Sequence, residues 1–192
     1  EKHVNRVFCL VGKSCSGKDT LYAHILERYP ELVPVIPCTT RPRRPGEVEG
    51  QTYHFVTEER LRQYEEEGQV VEKREYHTTQ GPWTYFTLRF ALDTDRLLIT
   101  TLEGARALMD CYGPQAVRVV CLQVDDRTRL LRYVHRESRQ QCPDYAEVCR
   151  RFLADQVDFS QERLDQFPRL DFIDTGGDID SCLKQWEGIY QK

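Results

Sequence analysis

Two kinds of block alternate along the chain: short runs in which nearly every residue is apolar, and longer runs in which apolar residues return every three or four positions. Arg6–Val11 is the first short run and predicts a buried strand. Gly12–Gly17 reads as a turn, and Lys18–Tyr29 as a helix with Leu21, Ile25, Leu26 and Tyr29 on one side. The same alternation returns later, with strands predicted over Leu97–Thr101, Val117–Val124 and Asp171–Asp174. Helices are predicted over Glu103–Cys111 and Asp126–Arg136. A long helix starts near Asp144, where Tyr145, Val148, Phe152 and Phe159 recur at helical spacing, and a closing helix carries Ile179, Cys182, Leu183, Trp186 and Tyr190. Continuously apolar strands separated by helices imply a parallel sheet covered on both faces.

One region breaks the rhythm. Pro37–Gly50 is polar and rich in proline and glycine, and is followed by a short strand at Tyr53–Val56 and a charged helix at Glu58–Glu67. Beyond it lie β-type patches at Gln69–Glu72 and Tyr85–Thr87 around an irregular Tyr76–Trp83. The 192 residues suit one α/β core with small inserted lobes. Residues 1–36 and 91–192 are expected to form the core, and 37–90 an inserted lobe.

Composition narrows the class. Basic and acidic residues number 27 and 31 and are interspersed, giving a net charge of −4 that argues against a nucleic-acid-coating surface. Eight cysteines are present, but Cys9 and Cys121 sit inside apolar strands and no Cys-x-x-Cys pair occurs, so reduced packing thiols are expected. The histidines at 3, 24, 54, 77 and 135 are scattered, which gives no structural zinc spacing. No apolar stretch approaches the ~18 residues a membrane span needs. The opening residues lack a secretory profile, so no membrane partner and a cytoplasmic location are expected.

Gly12-Lys-Ser-Cys-Ser-Gly-Lys18 satisfies G-x-x-x-x-G-K between a predicted strand and a predicted helix, the context of a phosphate-binding loop. Both glycines let the backbone wrap closely enough for its N–H groups to face phosphate oxygens, and the helix amino terminus adds a favourable dipole. The expected triphosphate site is therefore Gly12, Ser14, Cys15, Ser16, Gly17, Lys18, Asp19 and Thr20, with Lys18 supplying a mobile cation to the transferring group. The position after Lys18, usually a serine or threonine hydroxyl on Mg²⁺, is Asp19. Asp19 either reaches Mg²⁺ directly or through water, or caps the helix while Thr20 holds the metal.

Thr39-Thr40-Arg41-Pro-Arg-Arg44-Pro-Gly46-Glu47-Val-Glu-Gly50-Gln-Thr-Tyr53-His-Phe55 closely resembles the acceptor-binding segment of guanylate kinases, T-T-R-x-x-R-x-G-E-x-x-G-x-x-Y-x-F. Every fixed position matches. The resemblance implies that Arg41, Arg44 and Tyr53 hold the acceptor phosphate, and two guanidiniums with a phenol suit a dianion. It also implies that Glu72 reads guanine, since a carboxylate accepts from the ring N–H and exocyclic amine while adenine offers no such adjacent donors. Tyr85 and Thr87 are carried over from a looser match, Tyr85-Phe86-Thr87, to the family's Y-G-[ST]. The chain departs from the family where Ile99 and Thr101 replace two aspartates, and where Pro37 stands in place of a hydroxyl. Thr101 is retained as an acceptor-site candidate, Asp19 and Glu103 are the candidate compensating carboxylates, and an exposed helix start is the alternative reading of Glu103.

Arg132 and Arg136 close one predicted helix, and Arg150 and Arg151 begin the next across a polar break at about 137–143. In the family such arginines close as a lid over the transferring phosphoryl group. Lys18, Arg41, Arg136, Arg151 and Arg132 are thus the catalytic candidates. The acceptor is an ionised phosphate and needs no general base. The expected architecture is a P-loop kinase fold with a five-stranded parallel sheet. The expected reaction passes the γ-phosphoryl of ATP to GMP or dGMP with Mg²⁺, in a monomer or homodimer. Phosphorylation of a ribose bisphosphate, and a guanylate-kinase-like scaffold that binds protein partners, are the alternatives.

Overall fold

The structure, a computed structural model, describes residues 4–78 and 81–192. The opening residues 1–3, and 79–80 of the expected irregular segment, lie outside the described residues. The first unit is β1 (Val7–Gly12) followed directly by α1 (Lys18–Arg28). Strands β2 (Val33–Pro34), β7 (Arg96–Ile99), β8 (Val117–Gln123) and β9 (Leu170–Asp174) join β1 in a five-stranded sheet of order β2-β7-β1-β8-β9, parallel throughout. Helices α3 (Leu102–Tyr112), α4 (Asp126–Glu137), α5 (Tyr145–Asp158), α6 (Gln161–Leu164) and α7 (Ile179–Tyr190) complete the core.

Alternation along β1 explains why helices cover both sheet faces. Val7, Cys9 and Val11 pack with Leu102, Ala105, Leu108 and Met109 of α3 on one side. Phe8 and Leu10 pack on the other with Leu21 and Ile25 of α1 and Cys182, Trp186 and Ile189 of α7. A strand with both faces buried reads as an unbroken apolar run, which is the pattern of the sequence here. Side-chain caps start α3 at Thr101, α4 at Asp125, α5 at Asp144 and α7 at Asp178, each accepting a first-turn N–H.

The second sheet lies within residues 38–88. Strands β3 (Cys38–Thr39), β4 (His54–Phe55), β5 (Val70–Thr78) and β6 (Gly81–Leu88) are ordered β4-β3-β6-β5, with α2 (Glu58–Glu66) packing Leu61 against Cys38 and Phe86. The described residues of the segment expected to be irregular are instead strand, with Tyr76 paired to Trp83, and Arg74 to Tyr85, across antiparallel β5 and β6. From Tyr76 to Trp83 the described side chains are exposed or half-buried, so the period-two signal is absent from the sequence there. Among the described residues no helix is long and apolar enough to cross a membrane.

Candidate active site

The loop after β1 is shaped by two backbone requirements. Cys15 adopts φ 60, the one described non-glycine residue with positive φ, and Gly17 adopts φ 92 immediately before α1. Left-handed conformations at successive turns point backbone N–H groups inward, and a non-glycine residue held there is strain characteristic of functional loops. A side chain at Gly12 would meet Ser16 Oγ at 2.7 Å and the Leu122 carbonyl oxygen at 2.9 Å, so only glycine lets β1 lie so close to β8. Thr175 Oγ1 donates to the Ser16 carbonyl at 2.6 Å and tethers the loop to the end of β9.

Lys18 Nζ donates to the carbonyl oxygens of Gly12 at 2.6 Å and Lys13 at 2.9 Å. Burial pushes its pKa down, opposed by nearby Asp19 and Asp155. Asp19 lines the cleft, whereas the exposed Thr20 does not. Asp155 is engaged by Arg129 and the Ser14 N–H, and the remaining carboxylate, Asp19, fits Mg²⁺, which keeps several waters and takes substrate phosphate oxygens rather than a full protein cage.

The cleft has a volume of about 1230 Å³ and runs between the two sheets. Gly12, Ser14, Lys18 and Asp19 line one end, and Arg44, Tyr53, Arg74, Tyr76, Trp83 and Tyr85 line the lobe side. Ile99, Thr100 and Thr101 form part of the wall, and Glu147, Arg150, Arg151 and Asp155 of α5 complete it. A neighbouring cavity of about 540 Å³ reaches the other side of the loop through Lys13, Ser16 and Arg129.

Other sequence-predicted residues stand behind this wall. Arg41 is almost fully covered, and both its terminal nitrogens bind Glu47, at 2.9 and 2.7 Å, while Nε donates to Tyr85 Oη at 3.2 Å. The pairing raises the pKa of Arg41 and holds the Glu47 carboxyl at about 2. Glu47 also accepts the backbone N–H of Arg44 at 2.8 Å, so it fixes the turn that presents Arg44 to the cleft. Glu72 accepts the Thr87 hydroxyl at 2.9 Å, and neither residue lines the cleft. Thr101 does, although its hydroxyl oxygen accepts the Gly104 N–H at 3.1 Å as the cap of α3.

The lid arginines divide similarly. Arg150 and Arg151 reach the cleft, each donating through Nε to Glu147 at 2.7 Å, which depresses the Glu147 carboxyl to about 2. Arg132 donates to the Thr175 carbonyl at 3.0 Å, and the exposed Arg136 lies over the Tyr133 ring at 4.7 Å. Neither lines the cleft, although Arg132 Nη1 lies 3.9 Å from the position a Gly17 Cβ would take and Arg136 acts electrostatically on Cys15. Two residues at the loop escape the sequence reading. Arg129, fully buried, pairs with Asp155 at 2.7 Å and Asp126 at 3.0 Å, and Asp155 in turn accepts the Ser14 N–H at 2.9 Å. Arg129 shares one face of α4 with Arg132 and Arg136, a spacing of three and seven, and that was its available signal.

A phosphate loop at the carboxyl end of a central parallel strand, facing an inserted lobe across a cleft, defines a P-loop kinase fold. The guanylate kinase family model matches residues 4–185, and the chain belongs to that family. It is 32% identical over 119 residues to a guanylate kinase of Nostoc sp. (strain PCC 7120), covering 61% of this chain and 59% of that protein. The chain thus spans somewhat over half the length of that relative. With a guanylate kinase of Wolbachia pipientis wMel it shares 29% identity over 185 residues, covering 95% of this chain and 88% of the relative. The crystal structure of guanylate kinase from Anaplasma phagocytophilum superposes with a TM-score of 0.64 at 21% identity, covering 99% of this chain and 86% of that one.

Proposed function

We propose that the chain transfers the γ-phosphoryl group of ATP to GMP or dGMP, giving ADP and GDP or dGDP. The observation that carries this reading is the meeting of Lys18 and the Ser14 loop with Arg44, Tyr53 and Tyr85 in one cleft, with Arg150 and Arg151 on a third side. Family membership supplies the reaction class.

An oxygen of the acceptor phosphate attacks the γ-phosphorus in line, and the β,γ-bridging oxygen leaves with ADP. The loop N–H groups and Lys18 stabilise charge on the donor phosphates. Lys18 reaches them by exchanging the two carbonyls it now holds. Arg44 and the Tyr53 hydroxyl position the acceptor phosphate, and Arg41, locked by Glu47, buttresses Tyr53 and Tyr85. Arg151 and Arg150 offset charge on the transferring group, with Arg132 and Arg136 steadying the loop from α4. Mg²⁺ held near Asp19 neutralises donor phosphate charge when bound. Residues 37–90 act as the acceptor lobe, and the 137–143 turn between α4 and α5 as the lid hinge, in a cytoplasmic enzyme.

The test is a panel of nucleoside monophosphates and a ribose bisphosphate assayed with MgATP. GMP and dGMP are expected to yield ADP well above buffer. Turnover of the ribose bisphosphate alone would replace this reading, and GMP binding without turnover would favour a scaffold.

A further inference from the structure

The geometry points to Arg74 as a base-reading residue and to 6-oxopurine nucleoside monophosphates as the acceptor class, with inosine monophosphate (IMP) admitted beside GMP. This inference rests on the proposed phosphotransfer to a purine nucleotide.

Glu72 and Arg74 lie two apart on β5, opposite Thr87 and Tyr85, and share one face of the strand. One Glu72 oxygen accepts the Thr87 hydroxyl at 2.9 Å, and the other forms an ion pair with Arg74, 3.3 Å from its Nε. Its side chain is 7% exposed, against 30% for Arg74. Arg74 therefore stands between the carboxylate and the cleft, and Arg74 alone of the two lines it. Its terminal nitrogens meet no protein acceptor among the described residues. At this point the cleft offers N–H donors with a carboxylate of opposite charge behind them.

A guanidinium fork matches two acceptors side by side, which O6 and N7 of a 6-oxopurine provide. Adenine places an N–H₂ donor at position 6, so a donor would face a donor. Position 2 is treated differently. The Ile99 side chain carries no polar atom, and Thr100 and Thr101 offer hydroxyls, which donate as readily as they accept and so impose no fixed demand; the Thr101 oxygen already accepts the Gly104 N–H. The carboxylates on the cleft wall, Asp19, Glu147, Asp155 and Asp158, belong to the first turn of α1 and to α5. Among the described lining residues no further carboxylate is present to demand a 2-amino group, which is the sole difference between the guanine and hypoxanthine rings.

Steady-state kinetics with MgATP and GMP, IMP or AMP, on the wild type and on Arg74→Ala and Arg74→Lys, test this with melting temperatures alongside. For the wild type, kcat/KM for IMP should lie within about tenfold of GMP, and AMP at least ~10²-fold below both. Arg74→Ala should lower GMP and IMP together by roughly tenfold to a hundredfold and leave the KM for ATP unchanged; Arg74→Lys, a cation without the fork, should recover part of this. GMP turnover with IMP down at the AMP level would overturn the inference while leaving the proposed function standing, as would wild-type GMP kinetics in a folded Arg74→Ala. No turnover of any purine nucleotide would remove both. The wild-type comparison decides the acceptor class even if a variant does not fold.

Discussion

Asp155 on α5 accepts the backbone N–H of Ser14 at 2.9 Å, so a carboxylate from a distant helix holds the phosphate loop by one of its own donors. The same oxygen takes Arg129 at 2.7 Å, and the adjacent Gln156 binds Lys13 at 2.7 Å. Two successive residues of α5 thereby clasp two successive residues of the loop.

Asp155→Asn keeps the volume and an acceptor for Ser14 but leaves the buried Arg129 with Asp126 as its remaining carboxylate. Loss of one charged partner to a desolvated guanidinium should destabilise the fold by about 1–3 kcal/mol. Removing an anion from beside the triphosphate should at the same time tighten MgATP. Urea denaturation and ATP titration of one sample read the two opposite signs. An unchanged midpoint would mean that the pair contributes nothing to stability.

Lys18→Ala should reduce kcat by roughly 10²-fold or more, since it deletes a preorganised cation aimed at charge that develops during transfer. Melting should change little, because Lys18 contacts loop carbonyls and packs no core. Single-turnover kinetics checks this, and near-normal transfer would remove Lys18 from the mechanism.

Glu47 predicts an acid-range signature. Its carboxyl is held at about 2 by Arg41 and the Arg44 N–H, below its ordinary 4.5. A depressed carboxylate contributes stability that is present above the ordinary value and is lost as pH falls through the depressed one. The melting-temperature gap between wild type and Glu47→Gln should therefore be widest above pH 4.5 and close toward pH 2. A gap that stays constant across this window would show that the ion pair is not its source. Subtracting the variant cancels Glu147, also held at about 2 and expected to titrate in the same range.

Gly104→Ala tests the cleft floor. A Cβ there would collide with Thr100 Oγ1, on a largely buried side chain of the cleft wall with no hydrogen-bond partner for that oxygen. Overpacking of this kind costs about 1–3 kcal/mol. Thermal melts measure it, and Thr100→Ala combined with Gly104→Ala should restore most of the loss if the collision is the cause.

The strand, loop and helix of 7–28 were legible because two physical signals coincide there: a fully apolar run and glycines at fixed spacing. The acceptor segment was legible as a motif, yet its chemistry was only half visible. Nothing in the order of residues says that Arg41 is spent on Glu47, because that pairing depends on how the 42–47 turn folds. Strand β3 has two residues and no pattern of its own; it exists because β6 supplies its partner. Arg129 and Asp155 are 26 apart in sequence and joined only by the packing of α4 on α5. Arg74 has no motif of its own, and its place beside Glu72 follows from the strand pairing of β5 with β6.

The sheet order has a consequence for how the chain is made. β1 spans residues 7–12, yet its neighbours are β7 at 96–99 and β8 at 117–122. A strand closed on both sides by such distant partners gives high contact order, and such pairings form slowly. During synthesis the loop residues emerge early but have no wall to fold against until at least residue 122 has left the ribosome. Nascent chains stalled before that point should carry the complete Gly12–Lys18 motif and still fail to retain a triphosphate.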